Sequence, residues 1–223
     1  MLPESPPEHP DYEITAYMKT ATEVGGDYYD FFPQDDGSLY AVTGDATGHG
    51  IAAGMMVSMT KSALKALEVA APHVLLQQLN RVFREVHLRR MKMALNVLRL
   101  KGDEVALASA AMPPVFHYRA ADGEVREILV SGLPLGSLED LSFRLEVFEL
   151  VSGDALVLLS DGLPETFGAD GVELGYEAVR RSIVAHGGES AARLLQELLA
   201  VGRRALAGGD PNDDVTLVVV KRR

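Results

Sequence analysis

Period-two alternation over much of the chain, turn residues between the alternating runs, and four stretches with helical spacing predict an α+β fold. Hairpin-length connections make its sheets largely antiparallel, with helices packed on them. Of 223 residues, 47% are hydrophobic, enough for a substantial core and too many for disorder over most of the length. Residues 1–11 hold Pro3, Pro6, Pro7 and Pro10 and read as an extended lead-in. Neither a repeat nor a linker follows, so 12–223 is expected to be a single domain.

A strand is expected from Tyr12 to Met18. Asp35-Asp36-Gly37-Ser38 is turn chemistry, and the strands on either side of it should form a hairpin, the second running from Leu39 to Thr43. A helix follows over Ile51–Leu67, with Met55, Met59, Ala63 and Leu67 in i, i+4 steps. Another covers Val74–Arg90, where Leu75, Leu79, Val82, Phe83 and Val86 make the apolar face and Arg81, Arg84 and Arg89 the polar one. The period then changes to two. Strands are expected over Met93–Leu100, Glu104–Ser109, Val115–Arg119, Val125–Leu129, Phe143–Leu150 and Ala155–Ser160. Turns at Lys101-Gly102-Asp103, Ala121-Asp122-Gly123 and Ser152-Gly153-Asp154 separate them. Helices over Tyr176–His186 and Ser190–Leu206, the latter N-capped by Ser190, precede a last, buried strand over Asp214–Lys221.

With 21 Lys+Arg against 32 Asp+Glu, the net charge is −11, and no basic face marks a nucleic-acid binder. The absence of cysteine excludes disulfides and thiolate metal sites. No apolar run reaches the length that spans a bilayer, and the start lacks a cationic leader, so a soluble, cytoplasmic protein without membrane partners is expected.

Acidic residues recur where strands meet loops. Asp27 follows Gly25-Gly26, Asp45 closes the strand Leu39–Thr43, Asp161 closes Ala155–Ser160 and precedes Gly162, and Asp213 and Asp214 open the last strand. Carboxylates gathered on one sheet rim beside glycines suit a hard divalent cation such as Mg²⁺ or Mn²⁺. Taken singly, each is also an ordinary turn or cap residue, and spacing alone does not decide between the two. His9, His73, His87, His117 and His186 are scattered and read as surface or partly packed residues. Gly48-His49-Gly50-Ile51-Ala52-Ala53-Gly54, with Glu68 downstream, also admits a dinucleotide-binding reading and hence an oxidoreductase. Asp45 facing a pyrophosphate and the lack of a following parallel strand count against it.

Four ordered segments carry a resemblance: Glu23-Val24-Gly25-Gly26-Asp27-Tyr28-Tyr29-Asp30, Gly44-Asp45-Ala46-Thr47-Gly48-His49-Gly50, Ser160-Asp161-Gly162-Leu163-Pro164-Glu165 and Asp213-Asp214-Val215-Thr216. Together they resemble the PPM (type 2C-like) metal-dependent serine/threonine protein phosphatases, in their SpoIIE-like bacterial branch. The resemblance implies a double antiparallel β-sheet sandwich flanked by α-helices, with two Mn²⁺ or Mg²⁺ ions at one end. It implies Asp27, Asp45, Asp161 and Asp213 as metal-binding carboxylates, the Ala46 main-chain carbonyl as a further ligand, and Asp214 as an outer-shell residue or alternative ligand. The implied activity is hydrolysis of phosphoserine or phosphothreonine on a regulatory protein, such as an anti-sigma-factor antagonist, in bacterial partner-switching or stress signalling. The alternative is a catalytically weak module that binds a phosphorylated partner. Relatives often place a sensor domain N-terminal to this region, so a longer native chain is one expectation and a stand-alone enzyme the other. His49 reads either as a general acid for the departing alkoxide or as a residue holding its glycine-rich turn. The chain departs from the family at Ala110-Ala111-Met112-Pro113-Pro114, where relatives commonly read Ala-Gly-His-Pro-Pro. Ala46-Thr47 replaces Val-Ser, and Ser160 replaces Thr.

Overall fold

The computed structural model describes residues 2–86, 91–168 and 171–223. In chain order the strands are β1 (Tyr12–Lys19), β2 (Asp27–Pro33), β3 (Leu39–Ala46), β4 (Met93–Lys101), β5 (Glu104–Ala110), β6 (Val115–Tyr118), β7 (Val125–Ile128), β8 (Glu146–Glu149), β9 (Ala155–Leu159) and β10 (Val215–Arg222). The helices are α1 (Ile51–Ala66), α2 (Pro72–Glu85), α3 (Gly175–His186) and α4 (Ala191–Leu206). The chain divides into two compact units, one of Met1–Ser5, Thr22–Met112 and Val130–Glu149, the other of Pro6–Ala21, Pro113–Leu129 and Leu150–Arg223. Each holds one five-stranded antiparallel sheet and a pair of helices.

In the first unit the sheet order is β2-β3-β4-β5-β8. Tyr28, Val42, Leu95 and Val97 point from one sheet face into a core completed by Leu76, Leu79 and Phe83 of α2 and by Ala53, Met56 and Val57 of α1. Of the stripe expected on this helix, Met59, Ala63 and Leu67 pack against the core and Met55 does not. Met55 is 56% exposed and Ile51 78%, while Ala53, Gly54, Met56, Val57 and Thr60 are buried. Small side chains on that turn let the helix lie close to the sheet, and close approach outweighs the larger apolar surface of Met55. α1 is also fastened electrostatically: Lys61 Nζ pairs with the buried Asp30 at 2.8 Å, and Tyr28 donates its hydroxyl proton to the same carboxylate at 3.0 Å. Burial and then the Asp30 charge push the Tyr28 phenol well above the ordinary tyrosine range. On α2, Val86 is 49% exposed, off the apolar face expected to include it. His87, Arg89 and the helix end expected at Arg90 lie outside the described residues.

The sheet of the second unit runs β1-β10-β9-β6-β7, with α4 against β1 and β10 and α3 against β6 and β7. β9 is buried throughout, as is β10 until its last two residues, as a continuous Val/Leu run requires. Ser190 caps α4 by accepting the Arg193 amide proton at 3.2 Å. Every strand pair in both sheets is antiparallel, and β4, the strand after α1 and α2, lies antiparallel to β3. A dinucleotide-binding βαβ unit needs a parallel return there, so that reading fails.

Several boundaries differ from expectation. β3 continues to Ala46, so Asp45 sits within a strand and not after one; Gly44 makes this feasible, since a Cβ there would meet the Ala94 carbonyl oxygen at 2.8 Å. β8 is only Glu146–Glu149, because Phe143 and Leu150 turn into the interior instead of pairing. β10 begins at Val215, which leaves Asp213 and Asp214 in the preceding loop. Among the described residues no helix is long and apolar enough to cross a membrane.

Candidate metal centre

The β2–β3 hairpin builds one half of the site. Its turn is closed by Gln34 N–H to the Ser38 carbonyl at 2.8 Å and Gly37 N–H to the Gln34 carbonyl at 3.0 Å, with Gly37 at φ 77°. Asp36 Oδ1 accepts from the Ser38 amide at 3.0 Å and its hydroxyl at 2.6 Å. This turn sets Pro33 opposite Leu39, and the same register places Asp27 opposite Asp45 on one face. Like charges directly opposed weaken a sheet. Asp27 is nonetheless only 4% exposed.

The loop before β2 closes over the end of β3. Ala46 N–H donates to the Gly26 carbonyl at 2.9 Å and Gly50 N–H to the Val24 carbonyl at 2.8 Å. A Cβ on Gly26 would collide with the Ala46 carbonyl oxygen and would meet the Gly48 carbonyl oxygen at 2.9 Å and Asp45 Oδ1 at 3.1 Å. Glycine therefore lets one carboxylate and two carbonyl oxygens draw close to the Gly26 backbone, and oxygens of these kinds are the donors a hard cation takes. His49 is exposed between Gly48 (φ 80°) and Gly50 (φ 82°), immediately before α1.

The second unit carries the other carboxylates. Ser160 N–H donates to the Thr216 carbonyl at 3.1 Å, and Thr216 N–H donates to Ser160 Oγ at 3.0 Å, which locks the end of β9 to the start of β10. Gly162 lies so close to Asp214 that a Cβ would strike its carbonyl oxygen. Asp161 and Asp213 stand near enough to repel. Burial, reinforced by the Asp213 charge, raises the Asp161 carboxyl above its ordinary value. Asp213 is exposed, and its Oδ1 accepts the Asp214 amide proton at 2.7 Å. Asp214 is 7% exposed and turns inward, where its Oδ1 accepts the Ala21 amide proton at 2.8 Å.

The sites expected from sequence thus occur as two pairs, Asp27 with Asp45 on the first sheet and Asp161 with Asp213 in the loops after β9 and before β10, with Asp214 beside the second pair. Among the described residues no group of three or more His, Asp or Glu side chains is gathered closely enough to hold a metal ion. Two residues here were assigned no role from sequence. Glu165 is raised by burial and by the charges of Asp161, Glu173 and Asp213, and the Tyr176 phenol is pushed up to about 12 by burial and by Asp161, Glu165 and Glu173. Glu165 follows Asp161 by four residues, and its amide closes a turn onto the Asp161 carbonyl at 2.8 Å. His117 is no part of the site; it is buried with its Nε2 2.9 Å from Asp154 Oδ2.

Residues 35–223 match the family profile described as Stage II sporulation protein E (SpoIIE). The phosphoserine phosphatase RsbU of Bacillus subtilis is 28% identical over 221 residues, covering 97% of this chain and 65% of that protein. The chain therefore spans just under two thirds of that relative. A structure of the RsbU and RsbW domains of a Mycobacterium tuberculosis protein superposes with a TM-score of 0.79 at 27% identity, over 98% of this chain and 63% of that one. The SiaA-PP2C domain of Pseudomonas aeruginosa superposes with a TM-score of 0.80 at 20% identity, over 93% of this chain and 84% of that one, and so shares the fold.

Proposed function

Because this chain belongs to the SpoIIE family, we propose that it is a metal-dependent phosphatase that removes phosphate from serine or threonine of a regulatory protein. The substrate would be a cytoplasmic anti-sigma-factor antagonist or a similar component of a partner-switching or stress-signalling circuit. The observation that carries this reading is the pair of opposed carboxylates, Asp27 and Asp45, beside the Ala46 and Gly48 carbonyl oxygens, which approach so closely that position 26 must be glycine. Similarity to a phosphoserine phosphatase supports the substrate class.

Asp27, Asp45, the Ala46 carbonyl, Asp161 and Asp213 would hold two Mn²⁺ or Mg²⁺ ions. Such ions supply Lewis-acid stabilisation of the phosphoryl charge and a lowered water pKa. The chain's own contribution is then to fix the ligands. The hairpin register holds Asp27 against Asp45, and the Ser160–Thr216 bonds hold the loops of Asp161 and Asp213. Asp214 would act at one remove, by anchoring its loop to the Ala21 amide. His49 stands exposed on the adjoining turn, where its imidazole would protonate the departing serine alkoxide.

The test is hydrolysis of a serine-phosphorylated antagonist protein and of a chromogenic phosphomonoester, with Mn²⁺ and with excess chelator. Activity should require metal, and kcat/KM should be far higher for the phosphoprotein, because contacts remote from phosphorus contribute to transition-state binding. Equal rates in chelator would overturn the metal mechanism. Similar efficiency on both substrates would point to a small-molecule phosphatase.

A further inference from the structure

The row of the first sheet next to Asp27 and Asp45 is also polar. Tyr29, Thr43, Asn96 and Ser109 are paired in one line across β2, β3, β4 and β5. Alternation puts Thr43 on the same face of β3 as Asp45, turned away from α1 and α2, which cover Val42, Leu95 and Val97. Thr43 and Asn96 are each 1% exposed. Thr43 Oγ1 and both polar atoms of the Asn96 amide are buried with no hydrogen-bond partner among the described residues. Each such group costs on the order of 1–3 kcal/mol if left unsatisfied, and Val or Leu would fill these places without that cost. A buried water makes about two to four hydrogen bonds to such groups, so three orphaned atoms on two facing residues match the shell of one molecule.

We infer that Thr43 and Asn96 hold one buried water behind the Asp27–Asp45 pair, and that this water hydrogen-bonds Asp45 and orients its carboxylate. Asn96 and Asp45 are diagonal neighbours across β3 and β4, roughly 7–8 Å apart in such a ladder, a gap that one water bridges. Thr43 and Asn96 are then positioning residues. Their effect on metal rests on the reading of Asp45 as a ligand; the water itself does not.

Asn96→Leu and Thr43→Val remove the orphaned atoms at similar volume, and Asn96→Ser keeps a hydroxyl. In the metal-free protein both apolar variants should melt below the wild-type temperature, since each withdraws a hydrogen-bond partner from the water and leaves the other residue's polar group short of one. Calorimetric Mn²⁺ affinity should fall about tenfold in Asn96→Leu and stay within about threefold of wild type in Asn96→Ser. A high-resolution crystal structure of the metal-free wild type should show a water in reach of Thr43 Oγ1 and Asn96. A direct Thr43–Asn96 bond with no water there would overturn the water site. Unchanged Mn²⁺ affinity in both apolar variants would overturn the positioning role. If wild type itself takes up no Mn²⁺, the metal reading and the positioning role fall together, and the crystal structure still decides the water. Should Asn96→Leu fail to fold, Thr43→Val carries the same comparison.

Discussion

Adjacent aspartates at 213 and 214 have opposite environments, and that divides their roles. Asp213 is exposed and bonds only the next amide, whereas Asp214 is buried on the Ala21 amide. Asp213→Asn should abolish most Mn²⁺ affinity and leave the melting temperature of the metal-free protein nearly unchanged. Asp214→Ala should instead lower stability by about 1–2 kcal/mol by stranding the Ala21 amide; denaturant titration and calorimetry on both variants separate the two effects. Should Asp214→Asn prove the more damaging to Mn²⁺ binding, the assignment is reversed. The departure at Ala111-Met112 also acquires a physical account. Met112 is 4% exposed, so an apolar side chain replaces the family's imidazole at a packed position. Ala111 has φ 64°, left-handed backbone that costs a non-glycine residue about 1–2 kcal/mol. Ala111→Gly should therefore raise unfolding free energy by about 1 kcal/mol, less the added freedom of the unfolded glycine. A lower denaturation midpoint would contradict the strain.

At the scale of elements, the β2–β3 hairpin deserves separation from its neighbours because its register aligns Asp27 with Asp45. Asp36 secures the turn through Ser38 and reaches β4 through Lys101 at 2.8 Å and Arg99 at 3.2 Å. The Lys101 bond, helped by Ser38, holds the Asp36 carboxyl well below its ordinary value of 3.8. A carboxyl depressed in the folded state stabilises above its unfolded value, and that contribution is lost as pH falls from 3.8 toward the folded value. Asp36→Asn should lower the melting temperature at neutral pH, and the gap to wild type should close as pH drops below about 4. A gap that persists at acid pH would mean the ionised form adds nothing. The elements themselves were largely legible: the Asp35–Ser38 turn, the Ser190 cap and the buried β10 run are local patterns. The first turns of α1 were less so, because the choice between Met55 and the Ala53–Met56–Val57 face depends on how closely the sheet approaches.

For the whole molecule, the net charge of −11 and the repulsion between Asp161 and Asp213 predict that a divalent cation held by the proposed carboxylates would stabilise the native state. Mn²⁺ at a hundred times its dissociation constant should add about 2.7 kcal/mol per site to unfolding free energy. Thermal melts with and without Mn²⁺ check this, and Asp27→Asn should reduce the rise. A melting temperature indifferent to Mn²⁺ in wild type would remove the metal centre.

Sequence by itself determined the α+β class, the antiparallel hairpins, the acidic residues near strand ends and, through four ordered motifs, the family. Each of these is written in neighbours within a few residues, where period, turn chemistry and motif spacing act. Tertiary structure alone decided that Asp161 stands near Asp213 where β9 meets β10, that Asp214 turns inward, and that Thr43 meets Asn96 in a buried polar row. Those facts arise from pairing between strands far apart in sequence. A single residue of register shift would turn Thr43 or Asn96 to the opposite face, and no local pattern in the chain specifies that register across β3 and β4.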